Sequence, residues 1–190
     1  QIDIVKMLLE VPLVRENAAV SNNKALRYAL YYELDDLAIT LLGLVSVRIS
    51  ISAEDDRIFR EYYTFMDIRT VRMFLGIPSV RRKVEIKSNK FLIGAIQTRR
   101  IELVRLFLEI PAVRENAAIK GNVALRQAIN CGVSETVWEL LKIPEVRENA
   151  AIRENLALCK AINCGFIEVA LELLKIPAVL RKFIPIEDIR

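Results

Sequence analysis

Histidine carries most general-base, proton-shuttle and metal-ligand chemistry in proteins, and this 190-residue chain contains none. No Ser–His or Cys–His nucleophile can therefore be assembled from it. Cysteine offers no substitute. Cys131 and Cys164 occupy matching positions 33 residues apart. Helices packed side by side at about 10 Å would hold that pair beyond the roughly 7 Å that a disulfide tolerates between Cα atoms. Cys159 and Cys164 share one short helix at an unsuitable spacing. All three read as reduced thiols in a cytosolic setting. The expectation is a protein with no catalysis, cofactor or metal in this segment.

The chemistry that remains is recognition. Tyr28, Tyr31, Tyr32, Phe59, Tyr62, Tyr63 and Phe65 crowd the stretch 28–65. Phe59 and Tyr63 fall one period after Leu26 and Leu30, which are core positions. Tyr28, Tyr31, Tyr32 and Phe65 fall where later copies of the pattern carry Gln127, Asn130, Lys160 and Asn163, or Cys and Thr. These four are candidates for a partner-binding surface, because tyrosine brings contact area at little entropic cost. Residues 77–109 hold eight basic side chains against three acidic ones, a balance of +5 where the whole chain carries +4. Arg81, Arg82, Lys83, Lys87, Arg99 and Arg100, with Gln97 among them, are candidates for steering an acidic partner. A packed local core competes with the aromatic assignment, and an ordinary solvated face with the basic one. Arg15, Arg48, Arg81, Arg114 and Arg147 recur at one position. Because they recur with the structure, they read as bonded to carbonyls or to glutamates such as Glu16, Glu115 and Glu148. Trp138 reads as half-exposed packing.

A repeat positions all of these residues. Residues 110–142, IPAVRENAAIKGNVALRQAINCGVSETVWELLK, are followed at once by 143–175, IPEVRENAAIRENLALCKAINCGFIEVALELLK. The same frame opens at 11–43 and, more worn, at 44–76 and 77–109, with a partial copy at 1–10 and a partial copy or cap at 176–190, where Val179, Phe183 and Ile186 are the side chains expected to cap the array. The five full copies contain no insertion or deletion. A fixed period of this length marks a solenoid, in which each repeat buries its apolar face against its neighbours. The apolar share of 53% suits such an array. The whole chain therefore reads as one array. It opens inside a repeat, as a piece of a longer protein would.

Within 110–142, Leu125, Ala128 and Ile129 recur at helical spacing behind Asn122, which reads as an N-cap. Asn23, Asn89 and Asn155 share that position, as does Asp56 in the second repeat. The spacing predicts a first helix over 123–130 and a second over 134–142. Gly132 or Gly165 ends the first helix in a left-handed conformation. Val137, Leu140 and Leu141 form the buried side of the second helix. Pro144 then stops that helix and holds Ile143 extended. Ala29, Ala95, Ala128 and Ala161 keep the first helix slim enough for close approach. Tyr62 breaks that rule and is expected to disturb packing locally.

The run A-L-R-Q-A-I-N-C-G-V-S-E-T-V-W-E-L-L resembles the ankyrin repeat in the placing of Leu125, Ala128, Gly132, Glu135, Val137, Leu140 and Leu141. The next repeat resembles it through Leu158, Ala161, Gly165, Ile167, Glu168, Val169, Leu173 and Leu174. The resemblance implies an all-α, ankyrin-like helix-turn-helix solenoid that binds a partner through its concave face. It also makes Glu135 and Glu168 structural. The family's histidine is replaced by Arg27, Arg60, Ile93, Arg126 and Cys159. Its glycine-rich connector gives way to I-P-x-V-R-E-N-A-A, which predicts a compact turn with Ile110 and Val113 inward in place of a projecting hairpin. That connector is similar to those of ankyrin-like arrays in effectors that intracellular bacteria inject into host cells, which would place the protein in the cytoplasm, a host's included.

The function expected is a protein–protein interaction scaffold. One alternative is a substrate-recruiting or regulatory domain of a larger enzyme. Another is a phosphoinositide- or nucleic-acid-binding surface centred on 77–109. A single basic repeat without a base-reading motif argues against nucleic acid. No apolar run approaches the roughly 20 residues of a membrane span, which leaves only peripheral membrane contact.

Overall fold

The computed structural model describes residues 2–53 and 57–183, and the described residues form helices, turns and bends with no strand. The chain divides into two compact units, Gln1–Val84 and Glu85–Arg190. The first unit contains α1 (Ile2–Leu8), α2 (Pro12–Glu16), α3 (Val20–Tyr31), α4 (Asp35–Leu42), α5 (Val45–Ala53), α6 (Arg57–Tyr62) and α7 (Ile68–Leu75). Helix α8 (Pro78–Ile86) runs across the division. The second unit contains α9 (Ser88–Gln97), α10 (Ile101–Leu108), α11 (Pro111–Glu115), α12 (Ile119–Asn130) and α13 (Ser134–Leu141). It continues with α14 (Pro144–Glu148), α15 (Ile152–Asn163), α16 (Ile167–Leu174) and α17 (Pro177–Phe183).

Each repeat thus holds three helices where the sequence pattern suggested two. The third is the connector. Proline stands first in α2, α11 and α14, where its missing N–H costs nothing and its fixed φ suits a helix. Pro144 therefore opens a new helix as well as closing the old one. Ile143 before it is extended (φ −86°, ψ 118°), as expected. Short 3-10 turns, Asn116–Ala118 and Asn149–Ala151, complete two connectors. Ile110 and Val113 are buried, so the connector is compact and inward-facing.

Within the second unit α9, α12 and α15 pack side by side, each backed by its outer helix α10, α13 or α16. Ala95, Ala128 and Ala161 are fully buried there, which is where small side chains permit close approach. Leu125, Ile129, Val137, Leu140 and Leu141 fill the core as their spacing predicts. Phe91 and Phe107 meet at 6.1 Å between ring centroids. In the first unit Phe59 and Phe74 do the same at 5.5 Å. Val11 and Val14 are exposed, whereas their counterparts Ile143 and Val146 are buried. An apolar end face is thus open on the first repeat. Of the side chains expected to cap the other end, Val179 is buried, Phe183 is exposed, and Ile186 lies outside the described residues.

Two backbone features recur. The turn after the inner helix is left-handed at Gly132 (φ 69°) and Gly165 (φ 73°), and equally at Glu33 (φ 54°) and Arg99 (φ 58°). Glycine adopts this conformation freely, whereas a side chain there costs about 1–2 kcal/mol. A second left-handed stretch precedes the inner helix at residues 21–23, 120–122 and 153–155. This corrects the N-cap assignment. The Asn122 Oδ1 accepts no hydrogen bond, so it caps no first-turn amide; its Nδ2 donates to the Val146 carbonyl at 2.7 Å, inside the next connector. Asn155 likewise reaches the Val179 carbonyl at 2.8 Å, and Asn23 reaches Ser50 Oγ at 2.9 Å. All three are buried, so they strap one repeat to the next. Asn89 lies inside α9, where no such left-handed stretch occurs, and Asp56 lies outside the described residues.

Arg15, Arg48 and Arg147 of the recurring arginines have partners within the fold, and the partners differ. Arg15 donates to the Leu9 carbonyl at 3.0 Å and Arg48 to that of Gly76 at 3.3 Å. Arg147 lies 3.8 Å from the Glu172 carboxylate, which differs from the glutamates the sequence suggested.

Candidate partner-binding surface

Helix α3 carries Tyr28 and Tyr31 in its last turn, and Tyr32 follows as its C-cap. The rings form a cluster. Tyr28 and Tyr32 stand 5.3 Å apart between centroids, and Tyr31 meets Tyr32 edge-on at 5.0 Å and 87°. Such tilted and edge contacts suit the quadrupole of aromatic rings. Exposure remains high: 57% for Tyr28, 69% for Tyr31, 56% for Tyr32 and 69% for Phe65. Phe59 and Tyr63 are buried, as their match to Leu26 and Leu30 required. Burial raises the Tyr63 phenol above its ordinary value, keeping it neutral. The four candidate rings are therefore surface residues and do not form a local core.

The second repeat explains why Phe65 is presented. Its inner helix α6 stops at Tyr62, the position where other repeats bury an alanine. The large ring is half-buried, and the chain turns early, with Phe65 N–H donating to the Tyr62 carbonyl at 2.8 Å. A cleft of about 440 Å³ opens here, lined by Leu30, Tyr31, Glu33, Glu61, Tyr62 and Phe65. Tyr31 and Phe65, distant in sequence, share its walls. Arg27 crosses its edge to Glu61, with Nη1 at 2.6 Å from Oε2.

The basic candidates are divided between the two units. Arg81, Arg82 and Lys83 lie on α8 and belong to the first unit. Lys87 immediately precedes α9, Gln97 ends it, and Arg99 and Arg100 form the turn into α10, all in the second unit. Gln97 and Arg99 are exposed and Arg100 half-exposed. Arg105, from the same basic repeat, donates to Glu139 Oε1 at 2.9 Å, so part of the excess charge is spent internally. Trp138 is half-exposed on α13, as expected, and Glu135 and Glu168 are exposed.

Sequence spacing missed Glu33, Glu61 and Tyr62 as lining residues. The signal for Glu33 was present, since a carboxylate stands at the position of Gly132 and Gly165. Glu61 could be placed only by seeing two repeats side by side. The three cysteines are free thiols, and no cluster of His, Cys, Asp and Glu able to hold a metal exists among the described residues. No single helix among them is long and apolar enough to cross a membrane. No protein-family model, curated protein or solved structure matches the chain.

Proposed function

We propose that this chain is an ankyrin-like solenoid serving as a protein-binding scaffold, with recognition centred on Tyr28, Tyr31, Tyr32 and Phe65. The observation that carries this reading is four aromatic side chains on one unit, each more than half exposed: Tyr31 and Phe65 line one cleft, and Tyr28 and Tyr32 form a ring cluster with Tyr31. Exposed aromatic patches of this kind are costly in water and mark interaction surfaces. The 33-residue recurrence of the helices supports the solenoid assignment. Arg81, Arg82, Lys83, Lys87, Arg99 and Arg100, with Gln97, steer an acidic region of the partner in this proposal. It includes no catalytic step, and it places the protein in the cytoplasm, including that of a host cell reached by secretion.

Affinity capture from cytosol followed by surface plasmon resonance tests it. Reversing Arg99 and Arg100 to Glu slows association and weakens its salt dependence. Tyr31→Ala or Tyr32→Ala instead speeds dissociation, by about 2 kcal/mol at a hot spot. Parent-like binding by both sets of variants refutes this surface.

A further inference from the structure

The cleft beside α6 is chemically different from the basic residues around it. Its walls carry the rings of Tyr31, Tyr62 and Phe65, its lining includes buried Leu30, and its remaining residues are two carboxylates, Glu33 and Glu61. It also lies at the C-terminal end of α3, toward which the helix dipole points its partial negative charge. We infer that this cleft receives a cationic side chain, arginine or lysine, from the protein partner. This rests on the reading of the aromatic face as a protein-binding surface.

Three observations point the same way. Aromatic faces attract cations, most strongly where water is partly excluded, and the cleft volume of about 440 Å³ accommodates a guanidinium with its stem. Glu61 already takes a guanidinium, that of Arg27, at 2.6 Å from its Oε2, which leaves Glu33 as the carboxylate for a second cation. Glu33 has no ion-pair partner among the described residues, and it lines the cleft with a left-handed φ of 54°. The equivalent position is Met66, Arg99, Gly132 and Gly165 in the repeats that follow, so the fold itself does not require the carboxylate. A carboxylate and ring faces together favour a charged occupant over a neutral one.

The test is a titration of the ¹⁵N-labelled chain with the peptide acetyl-Gly-Arg-Gly-amide and with its citrulline analogue, which keeps the shape and loses the charge. Saturable shifts at the amides of Glu33, Glu61 and Phe65 are expected for the arginine peptide. The citrulline analogue should bind about fivefold more weakly, and Glu33→Gln should weaken the arginine peptide by a similar factor. Glu33→Gly guards against misfolding, since it relieves the left-handed residue; it should fold well yet bind as weakly as Glu33→Gln. Equal binding of the two peptides, no shift at these amides, or an unaffected Glu33→Gln variant each overturns the inference. If the peptide fails while Tyr31→Ala still weakens partner capture, only the cationic occupant is wrong. If Tyr31→Ala leaves capture unchanged, the surface reading itself falls.

Discussion

Replacing Asn122 with glycine separates two roles that this residue could fill. A capping asparagine can be exchanged for glycine at a cost of only a few tenths of a kcal/mol. A buried strap cannot. Asn122 is 2% exposed, and its Nδ2 holds the Val146 carbonyl at 2.7 Å. Removing that donor leaves a buried carbonyl short of a partner, for about 1–3 kcal/mol. Glycine adds no strain, because φ at this residue is 55°. Alanine loses the same bond and must also hold the left-handed backbone, for about a further 1 kcal/mol. The expected order of stability is parent, then Asn122→Gly, then Asn122→Ala, measured by urea unfolding followed by circular dichroism. A glycine variant as stable as the parent refutes the strap. An alanine variant no worse than the glycine variant refutes the left-handed stretch.

The glycine turns provide a paired comparison. A Cβ added at Gly165 meets nothing within 4 Å, whereas one at Gly132 lies 3.1 Å from Phe166 Cζ. Gly165→Ala should therefore cost about 1 kcal/mol from backbone alone, and Gly132→Ala more; equal denaturation midpoints would contradict this. Leu125→Ala should cost about 2–5 kcal/mol because the side chain is fully buried, and a neutral result in the same assay would overturn the helix frame. Acid should weaken the fold in a defined way. Glu139 and Glu172 are held below their ordinary value of 4.5, foremost by hydrogen bonds from Lys142 and Lys175. Depressed carboxyls stabilise fully above the ordinary value, and that stability is lost as pH falls through the lower folded one. Each contributes about 1 kcal/mol or less at the surface. Thermal melts of Glu139→Gln should show a shallower loss below that pH, and an unchanged acid limb would refute the assignment.

Much of the helical frame was legible because the period never slips. The inner-helix right-handed segment after Asn122 and the outer helix from Ser134 fall within a residue of their expected limits. Slot comparison also sorted buried Phe59 and Tyr63 from exposed Tyr28, Tyr31, Tyr32 and Phe65. The connector helices were not legible, since five residues are too few to show a helical period and proline reads first as a terminator. The role of Asn122 was hidden for a different reason. Asparagine suits both a cap and a left-handed backbone, and only the neighbouring repeat shows which bond its amide makes. The cleft escaped because Glu33 and Glu61 come from different repeats, and because α6 ends early at Tyr62.

Hydroxyl-radical footprinting of the chain, free and bound to its captured partner, tests the proposed function most directly. Tyr28, Tyr31, Tyr32 and Phe65 are exposed and should react freely alone, while Tyr63, 8% exposed, serves as an internal control. In the complex, strong protection of those four rings with Tyr63 unchanged is the expected result. Equal reactivity of the four rings in the free and bound chain would contradict it.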